Sequence, residues 1–599
     1  MSRFFSFISK CTGYLGSDRW TFAVFLLVSV FAVLFEGAGI SMVVPLLETV
    51  SGGSSFSDKP LLGEIASFFD AYPPRDRIVF SALFIAGLLI VTGILKISVS
   101  ALNASISIRI RARLTVKIYE YILRSRIEFI NAYDRGKLIN TVISLPTEIS
   151  KVVKALGEIT YSAFLFSIYT SLMFLISVKM TLFVLFALGI VAFLLNLTTR
   201  FYIKRAGENK INALSDIHHI THESMNGLRL IKSLVIENNM IDRLKLSIMR
   251  FSKSQYVALV LAEVPRPSLI TFAGLLICSL LVYHAYTSSP ENTEWLASIF
   301  MFIIVLFRLT GPFSSMNVSY NTIMAYLYAI DTYESILSSA DQNAENIIDG
   351  KPAEFRNKII FQNVSFKYPE KDSYSLNDVS FSIPRNSVTA LVGPSGAGKT
   401  TVAYLLCKFY TEYEGDICVD EINLKEINLQ NWRKKISFVT QDTFIFDDTL
   451  RNNLKIVNPS ATDEDIFEIA RKVGAYEFIE NLPEGLDTRL GDRGMKLSGG
   501  QCQRVSLMRS LLEGAEVIVL DEATSQLDSL NEKIIQQTVE SLRHQKTVLI
   551  IAHRLSTTKN ADEIIVMDNG EIVERGTHAD LIANDNGLYA DLVKHQNIS

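Results

Sequence analysis

Six runs of about twenty apolar residues, all before residue 325, constrain this chain more than any other feature of its sequence. A bilayer's hydrocarbon core is roughly 30 Å thick and an α-helix rises about 1.5 Å per residue, so about 20 apolar residues cross it. The stretches at about 20–46, 78–101, 156–177, 181–199, 267–286 and 296–318 meet that length. Between the second and third runs, and between the fourth and fifth, lie roughly 50–65 residues that are polar yet helical in pattern, with few Gly or Pro breaks. Residues 1–330 are therefore expected to form an α-helical membrane domain whose six spans continue beyond the bilayer as long rods, turn and return.

Charge sets the orientation. The segment 105–155 carries Arg109, Arg111, Arg113, Lys117, Arg124 and Arg126 among its cations, and 200–255 is equally basic. The connection "TSSPENTE" has no Lys or Arg, and the 48–77 loop has only Lys59, Arg75 and Arg77. The positive-inside rule then places both rods, both termini and the second half of the chain in the cytoplasm. The opening "MSRFFSFISK" reads as an amphipathic helix at the membrane surface rather than a signal peptide. Glu36, Lys96 and Arg308 interrupt apolar runs, where a charge faces a cavity or a partner. Lys96 is expected to snorkel to the cytoplasmic interface. Counting helix rise places Glu36 and Arg308 roughly 10 Å apart in depth, so each is expected to face water or substrate separately, as cavity residues.

After a linker at 331–356, the stretch 357–599 reads as a soluble α/β domain. "SVTALVG" runs into "PSGAGKTTVAYLLCKFY", a β-branched strand feeding a glycine loop and then a helix. Gly393, Gly396 and Gly398 let the backbone curl so that successive N–H groups face phosphate oxygens, and the helix adds its positive end. Gly393, Pro394, Ser395, Gly396, Ala397, Gly398, Lys399, Thr400 and Thr401 form the expected ATP cradle. Lys399 supplies a point charge for the outer phosphates, and the Thr400 hydroxyl can ligate Mg²⁺. Further on, "VIVLDEATSQLD" sends an apolar strand into two carboxylates. Asp521 is placed to hold Mg²⁺ through water, and Glu522 to polarise the attacking water as general base. His553 ends the strand in "TVLIIAHRLS" and can reach the γ-phosphate; Gln441 ends the strand in "ISFVTQDTFIF" and can reach Mg²⁺ or that water. Tyr368 offers a flat face for adenine.

A second glycine pair poses a geometric problem. "KLSGGQ" precedes a helical run, so Ser498, Gly499, Gly500 and Gln501 also bare helix N–H groups suited to phosphate. They do not fit the γ-phosphate already crowded by Lys399, Glu522 and His553 of the same chain. A second copy packed head to tail resolves this, each ATP lying between one chain's "GPSGAGKT" and the other's "LSGGQ", with closure driven by ATP and reopening by hydrolysis.

Taken together, "GPSGAGKT", "LSGGQ", "VIVLDEATSQLD", Gln441 and His553 after six spans resemble an ABC exporter half-transporter over nearly the whole chain. That resemblance implies an ATPase-coupled homodimeric transporter of the bacterial inner membrane, with ATP and Mg²⁺. It implies Tyr368 as the adenine-stacking residue, Asp528 as the D-loop aspartate, Glu522 as catalytic base and His553 as switch histidine. It also implies coupling helices near Ala132–Lys137 and Thr221–Gly227. Gln526 and Ser506 stand where alanine is common. "GISMVVPLLE", "AEVPRPSL" and "LFRLTGPF" look similar to segments of lipid-linked oligosaccharide flippases, which implies a lipid-linked glycan, glycolipid or other amphiphile as cargo. Export of peptides, drugs or siderophores is the alternative. An ABC protein that uses ATP only to gate a channel would lose catalytic residues or gain domains, and neither is seen. The six spans exclude a soluble ABC ATPase, and a net charge of −4 argues against a nucleic-acid binder.

Overall fold

Each apolar run of the first half coincides with a helix in the computed structural model: α1 (Arg19–Ser41), α2 (Pro74–Leu123), α3 (Arg135–Ile176), α4 (Val178–Asn226), then α5 (Glu237–Glu263) and α6 (Pro265–Thr287), and α7 (Glu294–Gln342). The structure describes residues 16–44, 46, 64, 67–68, 72–133, 135–287, 294–347, 349–352, 354–369, 371–440, 443–491, 494–521, 529–552 and 555–598. The surface helix expected at the N-terminus lies outside these. Among the described residues, four helices are long and apolar enough to cross a membrane, within α1, α2, α3 and α7. Shorter apolar segments, Val178–Val191 and Ile270–Ser279, lie on α4 and α6.

Length explains the rods. At about 1.5 Å per residue the 50 residues of α2 span about 75 Å, more than twice a hydrocarbon core. α3, α4 and α7, with 42, 49 and 49 residues, overshoot it as well. The chain reverses near 124–133 and again at 227–236, where Val235 takes a left-handed backbone after a short helix. Beyond the bilayer the rods are held by ordinary hydrophobic burial, which hydrocarbon cannot supply between helices. Ile106, Ile110, Leu114, Ile118 and Ile122 recur every fourth residue on α2, so they form one buried stripe. It packs in one cluster with Leu145, Ile149 and Val152 of α3 and Ile323, Ile330 and Tyr333 of α7. Each such side chain contributes about 1.5–3 kcal/mol when taken out of water. Polar ties add direction: Tyr333 donates to the Leu114 carbonyl (3.0 Å) and Tyr328 to Glu148 Oε2 (2.7 Å). Burial pushes the Glu148 carboxyl up from its ordinary range.

The chain divides into two units, Met1–Ser125 with Phe129–Ala344, and Arg126–Glu128 with Glu345–Ser599. The segment 331–356, expected as a linker, is itself divided. Its first part continues α7, and residues from Glu345 onward belong to the second unit. There Glu345 forms a two-pronged ion pair with Arg433 (2.7 and 2.8 Å), Lys351 N–H donates to the Glu426 carbonyl (2.8 Å), and Phe355 is buried. From the first rod, Arg126–Glu128 joins this unit, and Ile127 packs against its core.

The second unit has two sheets. An antiparallel sheet runs β2-β1-β4-β5, from β1 (Lys358–Phe366), β2 (Leu376–Pro384), β4 (Glu414–Val419) and β5 (Ile422–Asn423). A six-stranded sheet runs β10-β9-β3-β8-β7-β6, from β3 (Val388–Val392), β6 (Ile436–Val439), β7 (Val517–Asp521), β8 (Thr547–Ile551), β9 (Glu563–Asp568) and β10 (Glu571–Gly576). Strands β9, β3, β8, β7 and β6 are mutually parallel, and β10 closes the edge antiparallel. Every residue of β3 and β8 is buried, as a parallel sheet covered on both faces requires. Parallel strands deliver their C-terminal ends to one edge, where such sheets bind ligand.

Candidate functional site

β3 ends at Val392 and the chain curls through Gly393 to Gly398 into helix α8 (Lys399–Leu406). Gly393, at φ 150°, runs so close to β9 that a Cβ there would lie 2.0 Å from the Met567 carbonyl oxygen. Gly398, at φ 96°, allows the backbone to pass Ser375, whose carbonyl would be 2.5 Å from an added Cβ. The glycines are thus set by strand proximity as well as by curl. Gly393→Ala is expected to cost about 2–3 kcal/mol and to weaken nucleotide binding, because backbone rather than a flexible side chain must shift. Thermal unfolding with and without ATP checks this; a wild-type melting curve for the variant would contradict it.

Lys399 is buried, and its Nζ donates to the Gly393 and Pro394 carbonyls at 2.8 Å each. A buried ammonium needs such acceptors, and here they pin the loop's curl. Thr400 follows on the first turn, and Thr401 Oγ1 lies 3.1 Å from the Tyr368 hydroxyl. Tyr368 thereby stands beside the start of α8. Its ring meets Phe366 and Tyr410 edge-on, with centroids 4.9 and 5.2 Å away, and burial pushes its phenol up. Ala397 is buried, while Pro394, Ser395 and Gly396 are exposed along the loop.

Register carries Asp521 to the same edge. Asp521 ends β7 opposite Ile551 of β8, and Leu391 of β3 pairs with Ile551 on its other side. Asp521 is close enough to α8 that its charge adds to the burial raising the Tyr404 phenol. Gln441, Glu522, Asp528 and His553 lie outside the described residues. The strands that lead to Gln441, Glu522 and His553 are described. β6 ends at Val439, β7 at Asp521 and β8 at Ile551, all pointing the same way.

The second glycine motif opens helix α9 (Gly499–Glu513) with a reciprocal cap. Ser498 Oγ accepts from the Gln501 N–H (3.3 Å), while Gln501 Oε1 accepts from the Ser498 N–H (2.8 Å). Both side chains thus shape the helix N-terminus as well as lining it. Gly500 is buried and Gly499 exposed. Sequence reasoning missed what anchors this helix. Arg509 donates to the carbonyls of Asn453 (2.8 Å) and Phe444 (2.7 Å), and the buried Asn453 accepts from the Phe446 N–H (2.9 Å). This helix is therefore tied to the stretch Phe444–Asn453. An arginine three turns into a helix offers no spacing that would reveal this.

The membrane charges require two corrections. Lys96 does not snorkel alone, and Glu36 and Arg308 are not separate. Lys96 Nζ donates to Glu36 Oε1 (2.8 Å), Tyr169 donates to the same oxygen (2.6 Å), and Arg308 Nη1 lies 3.7 Å from it. The depth count ignored side-chain direction. Helical Cβ atoms tilt toward the N-terminus, and α1 and α7 run oppositely across the bilayer under the positive-inside orientation. Glu36 then leans inward and Arg308 outward, and the arginine's length closes the rest. The signal was present in three charges within apolar runs, but Tyr169 could not be found from it.

A family model described as ABC transporter matches residues 376–525, and one described as ABC transporter transmembrane region matches residues 22–312. The chain is 30% identical over 578 residues to an ATP-dependent lipid A-core flippase of Vibrio cholerae, covering 95% of each protein. It is 30% identical over 521 residues to the protein of that name from Haemophilus influenzae, covering 85% of this chain and 87% of the other. It is 34% identical over 502 residues to the heterocyst differentiation ATP-binding protein HepA of Nostoc, covering 81% of this chain and 79% of the other.

Proposed function

The chain belongs to the ABC transporter family as an ATP-hydrolysing half-transporter, and on that premise we propose that it moves a lipid-linked glycan, glycolipid or other amphiphile outward from the inner leaflet. It is a multi-pass inner-membrane protein with its ATPase domain in the cytoplasm, and that domain binds nucleotide. The cargo reading is carried by one observation, the likeness over 95% of both lengths to a protein named as a lipid A-core flippase. The half-transporter works as a homodimer, with membrane lipid around it. Each ATP is held by the Gly393–Thr401 loop and Tyr368 of one copy and by Ser498–Gln501 of the other. Glu522 takes the proton of the attacking water, His553 donates a hydrogen bond to the γ-phosphate and orients Glu522, and Asp528 lies at the seam between copies. Thr400, Gln441 and Asp521 offer the hard oxygen donors that Mg²⁺ prefers, and the ion would neutralise phosphate charge there.

ATPase activity of the protein in liposomes, titrated with glycolipids, peptides and hydrophobic drugs, tests the cargo. A glycolipid or lipid-linked glycan is expected to stimulate turnover saturably. Stimulation by peptides or drugs with none by any glycolipid would replace this reading with peptide or drug export.

A further inference from the structure

The last helices of the chain reach back toward the edge where β3 and β8 end through four polar groups in a row. His578 opens α10 (His578–Ile582), and Tyr589 lies on the first turn of α11 (Leu588–Ile598). His578 Nδ1 is 2.7 Å from the Tyr589 hydroxyl, which is 3.2 Å from Thr558 Oγ1, and Thr558 Oγ1 donates to the Leu555 carbonyl at 2.8 Å. Tyr589 and Thr558 are fully buried. A carbonyl only accepts and a threonine hydroxyl has one proton, so the row has a single direction. Thr558 spends its proton on Leu555, Tyr589 donates to Thr558, and His578 donates to Tyr589 from a protonated Nδ1. Tyr589 is fixed from behind as well, because its own N–H and that of Leu588 donate to the Glu574 carboxylate of β10 (3.2 and 2.7 Å). The row ends in the turn Leu555–Thr558, which follows β8. Just past β8 the Ala552 N–H donates to the Leu391 carbonyl of β3 (3.0 Å), the strand that feeds the glycine loop. Ala552, Leu555, Leu581 and Tyr589 share one core cluster with Ala390 and Val392 of β3.

A phenylalanine at 589 would fill nearly the same space. The hydroxyl adds a fixed rotation of the ring and a hold on Thr558, at the cost of burying polar groups that must all be paired. The geometry points to Tyr589 as a positioning residue for ATP hydrolysis, one that holds the turn Leu555–Thr558 so that the chain leaving β8 presents His553 to the γ-phosphate. His553 stands in sequence between Ala552, tied to Leu391, and that turn, tied to Tyr589. The inference rests on the role given to His553 above and adds the residue that keeps it in register. Tyr589 is sealed in the core and touches no nucleotide, so it acts on the rate of hydrolysis and leaves nucleotide affinity alone. The C-terminal helix thereby takes part in turnover as well as covering the core.

Steady-state ATPase kinetics of the full-length protein in liposomes, with melting curves of the same preparations, test this. Tyr589→Phe is expected to lower kcat about tenfold and to leave KM for ATP within about twofold, the pattern of a misplaced group at the reacting phosphate rather than of lost binding. Leu592→Ala loosens the same helix from the core without touching the row, and should lower the melting temperature at least as much while keeping kcat. Loss of kcat in both variants in proportion to lost stability, or wild-type kcat in Tyr589→Phe, would overturn the proposal. Should Tyr589→Phe fail to fold, His578 decides. His578→Asn keeps an N–H at the place of Nδ1 and is expected to retain kcat. His578→Asp offers only an acceptor, which turns the Tyr589 proton away from Thr558, and is expected to lose kcat although aspartate suits the first turn of a helix. Equal rates in these two variants overturn the proposal. Tyr589→Phe added to His553→Ala should slow turnover no further than His553→Ala alone, as residues acting through one another do, and multiplied losses overturn the link. Normal turnover by His553→Ala defeats the reading of the histidine itself, whereas a slow His553→Ala beside a normal Tyr589→Phe defeats this inference alone.

Discussion

Glu522→Gln lowers steady-state ATP turnover by about 10²–10⁴-fold while ATP stays bound, the range expected when a positioned general base is removed. β7 is buried through Leu520 and delivers Asp521, the residue before Glu522 in sequence, to the edge where the phosphate loop begins. Glutamine keeps the shape and hydrogen-bonding reach of glutamate but cannot accept the water's proton. The Lys399 loop is untouched, so nucleotide affinity should persist and the two copies should accumulate closed around ATP. Rapid-quench hydrolysis together with retention of labelled ATP on the protein measures both effects. Normal turnover would remove Glu522 from the role of base.

Ser498→Arg abolishes hydrolysis to a similar degree by another route. Ser498 caps α9 reciprocally with Gln501, so a bulky cation there removes the cap and blocks whatever docks on the helix end. Losing an N-cap costs about 1 kcal/mol, too little to unfold a well-packed helix, while misplacing a reacting group by about 1 Å can cost 10²-fold in rate. Ser498→Asp separates the two effects. Aspartate caps as well as serine but sets a negative charge against the incoming γ-phosphate. Both variants should bind ATP at their own Lys399 loop with near-normal affinity and fail to hydrolyse it. Wild-type turnover by Ser498→Asp would refute a nucleotide shared between copies.

How much of this could be read in advance differs by element. The glycine loop was legible because its glycines, lysine and threonine stand at fixed short spacings, and because β3 announces itself as a short β-branched run. The rods were legible because polar segments without helix breakers continued the apolar ones, and the four-residue repeat from Ile106 to Ile122 shows what they bury. The Glu36 cluster was misread because depth was counted along helix axes, while reach and tilt belong to side chains. The Arg509–Asn453 tie was invisible because it joins residues 56 positions apart through backbone carbonyls, which leave no pattern in sequence. The bonds of Lys399 to the Gly393 and Pro394 carbonyls depend on the curl of the loop, which no residue spacing encodes.

Three residues between the first two rods, Arg126–Glu128, fold with the ATPase unit, and Ile127 covers part of the core formed by Phe361, Phe381 and Trp432. A fragment cut at Glu345 would therefore leave an oily bald spot where that isoleucine belongs. Catalytic rates measured on such an excised piece would describe a wounded enzyme, one prone to clump through the apolar patch that Ile127 covers in the intact chain.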